Sequence, residues 1–530
     1  MVPEEYYYLN AGRASHLTDA RERRWYRVLE IVPGALSWST LVLTVLLSWL
    51  TPVFIAFFVI AFDIYWFLKT VFLSLHLRSA FKKMRANIGV AWHEKLKEEK
   101  KGWEEYYHLI LLPMYTESWE VVGASLRALA AANYPKEKMI VVLATEERAG
   151  EDARAIAQKG REEFGATFFR FVITTHPKDI EGEMAGKGSN INFAGRKAKE
   201  DVIDALGIDH KKVIVSAFDI DTVIWPEYFA RLMYVYLSVP RPERVSFQPV
   251  PFYINNIWHA PAVARVIAFS ATFWHTLQQE RPERMTTFSS HSMSLTALCD
   301  VDFWQPNMVS EDSRIFWQCF LRYDGDYAVE PMYYPVSMDA NVADTFWQTL
   351  VNQYKQQRRW GYGVENVPYF LFGFFKNKKI DFWKKVKFGL VIIEGFHSWA
   401  TNALIIFLLG WLPLYLGGEV FNATQLSYNL PLVTKYIMTL SMIGVVTSAL
   451  LSVLILPPRP PEYGKWKYAI IVLQWPLMFL TIVIFGSLPG LDAQTRLMLG
   501  KYMGFWVTPK GRPTQNPQKG VGERRKDFPV

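Results

Sequence analysis

The stretch KVIVSAFDID (Lys212–Asp221) runs an apolar, β-branched segment straight into two aspartates. An apolar run of this length bounded by polar residues reads as a strand buried on both faces. Three similar runs precede it: HLILLPMY (His108–Tyr115), MIVVLAT (Met139–Thr145) and FFRFVIT (Phe168–Thr174). Helical patterns lie between them, among them Trp119–Ala132 and Glu151–Phe164. Strands alternating with helices predict an α/β domain with a parallel, Rossmann-like sheet covered on both faces. Such sheets bind ligands in the crevice beyond the carboxyl ends of their strands.

That rule gives Asp219 and Asp221 their interest. On an extended chain, residues two apart share a face, so both carboxylates would approach one cation or its water shell. A magnesium or manganese ion held this way keeps waters and takes further oxygens from phosphates. A bare D-x-D is otherwise a turn or a solvated edge. Other strand ends add polar groups: Pro113–Glu117, with Tyr115 and Glu117, ends the first run, and Thr145-Glu146-Glu147 ends the second. Lys187, in GKGSNIN, has the length to reach a phosphate, although a lysine flanked by glycines is commonly just exposed. Ser310-Glu311-Asp312 follows DFWQPNMV. Its simplest explanation is a helix N-cap with acidic first-turn residues.

Two apolar runs, Ile31–Leu50 and Val53–Leu73, precede this domain, each about the ~20 residues that span a bilayer core. The first is too long for a signal segment and lacks a small-residue cleavage site, so a retained anchor is expected. Phe388–Leu416, Val433–Leu456 and Tyr468–Leu488 follow the domain. The expected organisation is 1–76, a cytoplasmic N-terminus with two transmembrane helices; 77–385, a cytoplasmic catalytic domain with interfacial helices; 386–490, a region of three or four spans; and 491–530, an amphipathic segment and basic tail. The net charge is +8. Arg21, Arg23, Arg24 and Arg27 before the first span, Lys82 and Lys83 after the second, and Lys384 and Lys385 before the third place the soluble domain in the cytoplasm. The basic tail also reads as cytoplasmic, which three simple crossings would not allow. A fourth crossing, or a segment that fails to cross, reconciles the two; Phe388–Leu416 is the suspect, being overlong and carrying Glu394 and His397. Asp63, costly inside a span, is expected to face protein or water. Cys299 and Cys319 are the only cysteines, which excludes a disulfide framework or a cysteine zinc site.

The ordered set Asp219-x-Asp221, Ser310-Glu311-Asp312, Gln356-x-x-Arg359-Trp360 (in NQYKQQRRWGYG) and FWVTPKG (Phe505–Gly511) resembles the processive membrane glycosyltransferases of family 2, which include cellulose, chitin and hyaluronan synthases. The resemblance covers roughly Tyr107 to Gly511. It implies a GT-A glycosyltransferase domain inserted between N- and C-terminal transmembrane helices, in a multi-pass protein of the cell membrane. It implies an inverting hexosyltransferase with Asp312 as general base. Asp219, Gln356, Arg359 and Lys187, with Tyr115, Glu117 and Glu146, would bind the nucleotide-sugar, a UDP-sugar. Asp221 would hold Mg2+ or Mn2+, and Trp360 would stack on the acceptor. Phe505, Val507, Thr508 and Lys510 match a gating-loop motif. ATEER departs from the aspartate pair usual after the second strand, and Ser310 replaces a commoner threonine. Besides the donor, a glycan or lipid acceptor and membrane lipid are the expected partners, with no nucleic acid. Processive synthesis coupled to translocation is the leading expectation. Single transfer to a membrane lipid, or a non-catalytic channel subunit, are its alternatives.

Overall fold

The computed structural model describes residues 3–509. Its centre is an eight-stranded sheet ordered β3-β2-β1-β4-β7-β6-β8-β5. The strands are β1 Tyr107–Pro113, β2 Met139–Glu146, β3 Arg170–His176, β4 Val213–Ala217, β5 Val223–Ile224, β6 Val245–Tyr253, β7 Ser292–Ser294 and β8 Ala328–Met338. The first four pair in parallel, as the apolar runs predict. Alternate residues of β1 serve opposite cores: Ile110 and Leu112 join one cluster, Leu109 and Leu111 the other. Both faces are therefore covered, one by the helices Trp119–Ala130 and Gly150–Phe164, the other by Lys187–Ala198 and Glu311–Arg322.

The other half of the sheet departs from a purely parallel expectation. β7 pairs antiparallel with β4 and β6, while β6 and β8 pair in parallel. Passing through antiparallel β7 restores direction, so β1–β4, β6 and β8 all point their carboxyl ends to one edge. β6 and β8 carry Pro249, Pro331 and Pro335, and their register shifts between Gln248 and Val250. Proline removes a ladder donor and argues against a central strand in a sequence reading. β5 and β7 are too short to show a period.

Among the described residues five stretches are long and apolar enough to cross a membrane: Ala20–Leu50, Pro52–Ile88, Phe382–Phe407, Gln425–Leu454 and Trp466–Met498. The suspect Phe388–Leu416 lies in the helix Phe382–Phe407 and then breaks into the short turns Leu409–Trp411 and Leu412–Leu416; its Glu394 pairs with Lys69 at 2.8 Å and its His397 Nε2 lies 2.9 Å from Thr40 Oγ1. Asp63 is buried. The fifth stretch is irregular as well. It breaks at Trp475–Leu477 and again at Val483–Ser487. Its beginning lies against the sheet domain, with Tyr468 edge-on to Trp258 and Gln474 Oε1 accepting from Arg265 Nε at 2.8 Å. Its end lies there too: Asp492 pairs with Arg358 at 2.9 Å. In between, Phe479 reaches Phe407. Both ends of the stretch thus touch the sheet domain, and the tail that follows it stands beside that domain.

Candidate functional site

The chain passes from β1 through β2 and β3 outward, then returns to β4 on the other side of β1. The β1/β4 boundary is thus a topological switch point, where a crevice opens at the carboxyl edge. Two helix starts converge on it, Lys187 of Lys187–Ala198 and Glu311-Asp312 of Glu311–Arg322. Gly188 lets them approach, since a Cβ there would stand 3.2 Å from Glu311 Cβ.

Lys187 is the hub. Its Nζ lies 2.6 Å from Asp219 Oδ1, and 2.8 and 2.9 Å from the two oxygens of Asp312. Glu311 Oε1 stands 3.6 Å away. Burial by itself would lower the Lys187 ammonium, but the carboxylates of Asp219, Asp312 and Glu311 outweigh it and hold the group well above the usual lysine range. Far from being an exposed lysine, Lys187 has a side chain only 10% accessible. Burial, then the charge of Asp312, pushes the Glu311 carboxyl up to about 8.

Asp219 and Asp221 both stand near the Tyr253 hydroxyl but take different hydrogen-bond partners. Asp219-Ile220-Asp221-Thr222 forms a turn closed by Thr222 N–H to Asp219 O at 2.9 Å, so the extended-chain spacing does not apply. Asp219 Oδ2 accepts from Ser289 Oγ at 2.7 Å, whereas the buried Asp221 accepts from the Asp339 N–H at 3.0 Å. Among the described residues no group of three or more His, Cys, Asp or Glu gathers as a cation cage. One or two carboxylates fit a hydrated cation that completes its shell with phosphate oxygens. Asp221, with Asp339 beside it, is such a donor set.

Ser310 does not cap its helix through its side chain. Its N–H and hydroxyl both donate to Glu365 Oε1, at 2.8 and 2.7 Å. Arg314, fully buried, donates to Asn366 Oδ1 at 2.6 Å and Gln305 Oε1 at 2.8 Å, and lies over the Tyr369 ring. This scaffold orients the first turn that carries Asp312.

The helix Phe346–Gly361 brings the third motif alongside. Gln356, Trp360, Tyr253, Asp339 and Asn341 line one wall of a cleft whose other wall is Ala264, Ile267, Ala268 and Ala271. Trp360 lies 6.0 Å from the Tyr253 ring and 6.1 Å from Phe288. Burial, then the charges of Asp219 and Asp221, raise the Tyr253 hydroxyl well above its usual range. Arg359 Nε is buried without a hydrogen-bond partner among the described residues.

The tail reaches the same groups. Phe505 packs under Arg359 at 4.9 Å and against Gly186, where a Cβ would stand 2.6 Å from Phe505 Cγ. Lys355 Nζ is 5.5 Å from the Trp506 ring, Val507 is half-buried and Thr508 is buried. Upstream, Tyr502 donates to Glu30 Oε2 at 2.8 Å, and Arg27 donates to Leu497 O at 2.9 Å. Lys510 lies outside the described residues.

Farther along the edge, Arg148 Nε donates to Glu146 Oε2 at 2.5 Å and its guanidinium covers the Tyr115 ring at 4.5 Å. Glu117 Oε2 accepts from Tyr115 N–H at 2.6 Å. Tyr253, Ser289, Asp339, Asn341, Glu365 and Arg148 were not readable in advance. The carboxyl-edge rule pointed at the end of β2 without singling out Arg148, it could not be applied to strands β6 and β8, which their prolines conceal, and it does not reach Ser289 or Glu365, which follow neither strand.

No protein-family model matches the chain, and no curated protein matches it. Among solved structures it is similar to the mannosyltransferase PcManGT from Pyrobaculum calidifontis, in complex with GDP-Man and Mn2+: 13% identity, 72% of this chain, 99% of that one, TM-score 0.41. It is also similar to S. aureus TarS 1–349, at 12% identity over 65% of this chain and 90% of that one, TM-score 0.33. The same TarS segment in complex with UDP-GlcNAc gives 11% identity, the same coverage and TM-score 0.35. What this site can do follows from its own residues.

Proposed function

We propose that the chain is a membrane-embedded, inverting glycosyltransferase with a GT-A catalytic domain on the cytoplasmic side, moving sugar from a nucleotide-sugar to a growing glycan. The observation that carries this reading is the convergence of Asp219, Asp312 and Lys187 within 2.9 Å at a switch-point crevice, beside Arg359 and Trp360.

Asp312 takes the proton of an acceptor hydroxyl as its oxygen attacks the anomeric carbon from the face opposite the phosphate. The anomeric C–O bond breaks, and its electron pair leaves with the nucleoside diphosphate. One displacement inverts the centre and needs no covalent nucleophile. Lys187 is bonded to both Asp312 oxygens, which leaves each oxygen a further lone pair for the acceptor proton; its ammonium also lies within reach of the diphosphate side of the crevice, at Asp219. Lys187 joins Arg359, whose planar fork suits phosphate oxygens, in stabilising the charge that grows on the leaving group. Asp221, with Asp339 alongside, would hold a divalent cation, which supplies Lewis-acid neutralisation of that charge. Trp360 presents its ring to the acceptor sugar, and the amides of Gln356 and Asn341 are placed for its hydroxyls.

The cleft adjoins the helix Ala262–Gln278, which packs against the membrane-length helix Pro52–Ile88. That continuity supports a product handed from the site to the spans, hence processive synthesis with translocation, with Phe505–Thr508 as a cover of the crevice. The alanine-rich wall of the same cleft favours a second reading, single transfer to a membrane lipid. Incubating the purified protein in membranes with a panel of labelled sugar nucleotides, then sizing the product, tests both. A long polymer supports the first reading and a singly glycosylated lipid the second. No turnover with any sugar nucleotide would overturn both.

A further inference from the structure

The turn that leads into Asp312 is fastened by a carboxylate from a later part of the chain. Glu365, only 6% exposed, accepts through Oε1 from the N–H groups of Val309 and Ser310, at 3.0 and 2.8 Å, and from the Ser310 hydroxyl at 2.7 Å. A serine at a helix start ordinarily turns its oxygen to its own first N–H groups; Ser310 donates outward instead. Asn366 Nδ2 donates to Ser313 Oγ at 2.9 Å, so the pair holds the chain just before and just after Asp312. Arg314 braces both, with Nη2 donating to Glu365 O at 3.2 Å and Nε to Asn366 Oδ1 at 2.6 Å. Farther along, the Trp317 ring stacks on Phe370 at 4.8 Å, which lays the helices Glu311–Arg322 and Asn366–Lys376 together.

Glu365 also stands five residues after Trp360. The helix Phe346–Gly361 runs through the short 3₁₀ turn Tyr362–Glu365 into Asn366–Lys376 with no extended residue between them. The ring that faces the acceptor cleft and the carboxylate that holds the base turn therefore belong to one continuous helical segment. Lys187 ties the same Asp312 to Asp219 on the donor side, so the base is held from both sides of the reaction.

We propose that Glu365 is a positioning residue that registers Asp312 against the acceptor, by fastening the base turn to the segment that carries Trp360. This rests on the reading of Asp312 as the base. A base acts only within about 2.6–3.2 Å of the proton it takes, and a misplacement of about 1 Å costs on the order of 10²-fold in rate. Glu365 touches neither substrate; it acts through where it holds Val309 and Ser310. Burial raises its carboxyl above the usual range, against the opposing pull of Arg314 and Ser310. The reach of its oxygen therefore matters more than a full negative charge, and an amide of the same length is a fair substitute.

The test is a mutant cycle on the full chain in membranes, using the sugar nucleotide that the panel above identifies and reading kcat per folded molecule and donor KM. Glu365→Ala is expected to lower kcat by about 10²-fold with donor KM changed less than about threefold. Glu365→Gln, which keeps the reach, is expected to stay within about tenfold of the unaltered chain, and Glu365→Asp, which keeps the charge but withdraws the oxygen, to fall as far as the alanine variant. In an Asp312→Asn background Glu365→Ala is expected to remove almost nothing further, because a residue that acts only through the base then has nothing left to position. An equal loss in both backgrounds overturns the proposal, since Glu365 would then simply support the fold. So does a loss carried by donor KM, a normal kcat in Glu365→Ala, or a Glu365→Asp that outperforms Glu365→Gln. Near-normal turnover of Asp312→Asn alone overturns the base reading on which the proposal rests. If the alanine variant does not fold, the glutamine and aspartate variants carry the comparison.

Discussion

Lys187 Nζ lies 2.8 and 2.9 Å from the two carboxylate oxygens of Asp312, a residue 125 positions later in the chain. One ammonium thereby joins the start of the helix Lys187–Ala198 to the start of Glu311–Arg322, and also holds Asp219 at the end of β4. Three segments with no sequence proximity share a single counterion.

If Asp312 is the base, Asp312→Asn keeps shape and loses the proton acceptor. Positioned proton transfer contributes about 10²–10⁴-fold, so turnover is expected to fall by at least that order while sugar-nucleotide binding survives. A helix-capping role predicts instead a stability loss of about 0.5–2 kcal/mol with turnover per folded molecule nearly intact. Measuring transfer rate and nucleotide affinity on the folded variant separates the two, and near-normal turnover would sink the base assignment.

Glu311 is the neighbouring control. Its folded-state carboxyl is pushed up to about 8, above the usual carboxylate value near 4.5, by burial and by Asp312. A folded value above the unfolded one contributes stability that is complete below about pH 4.5 and is lost as pH rises through about 8. Thermal melts between those limits are expected to show this decline, and Glu311→Gln to flatten it with a smaller effect on turnover than Asp312→Asn. An unchanged slope would show that Glu311 does not titrate there.

Chelation by EDTA is expected to stop turnover and Mg2+ or Mn2+ to restore it. Asp221→Asn is expected to weaken nucleotide binding in the presence of metal and to leave metal-free binding nearly unchanged. Full activity in excess chelator would remove the cation from the mechanism.

Phe505 sits where Gly186 has no side chain. Gly186→Ala is expected to unseat the tail and lower turnover. In a Phe505→Ala background the same substitution should add little, because neighbours that share one contact are not additive. Fully additive losses in the double-mutant cycle would show that the ring does not depend on this seat.

Topology gives a test independent of activity. Reporter fusions after Lys100 and after Lys519 are both expected to report cytoplasm, because both ends of Trp466–Met498 touch the sheet domain. An exterior report from the second fusion would require that stretch to cross and would remove the cover role of Phe505–Thr508.

The parallel half of the sheet was legible because β1, β2 and β4 are uninterrupted apolar strands buried on both faces, and such strands advertise themselves without any knowledge of neighbours. Asp219 and Asp312 were nameable for a related reason: the rule that ligands sit beyond carboxyl ends, and the spacing of short motifs, both survive in one dimension. The prolines of β6 and β8 concealed the other half. Those strands exist because tertiary pairing tolerates a shifted register and a missing donor where local preference would not.

Sequence by itself determined that a strand-rich domain lies between membrane-length apolar stretches, since hydrophobic length and periodicity are properties of the chain. Tertiary structure alone decided that Lys187 is a buried counterion rather than an exposed cation, that Asp219 and Asp221 face different partners across a turn, and that both ends of Trp466–Met498 meet the sheet domain. Each depends on which groups, far apart along the chain, end up within a few ångströms, because Coulombic and hydrogen-bond partners are set by distance in space and not along the sequence.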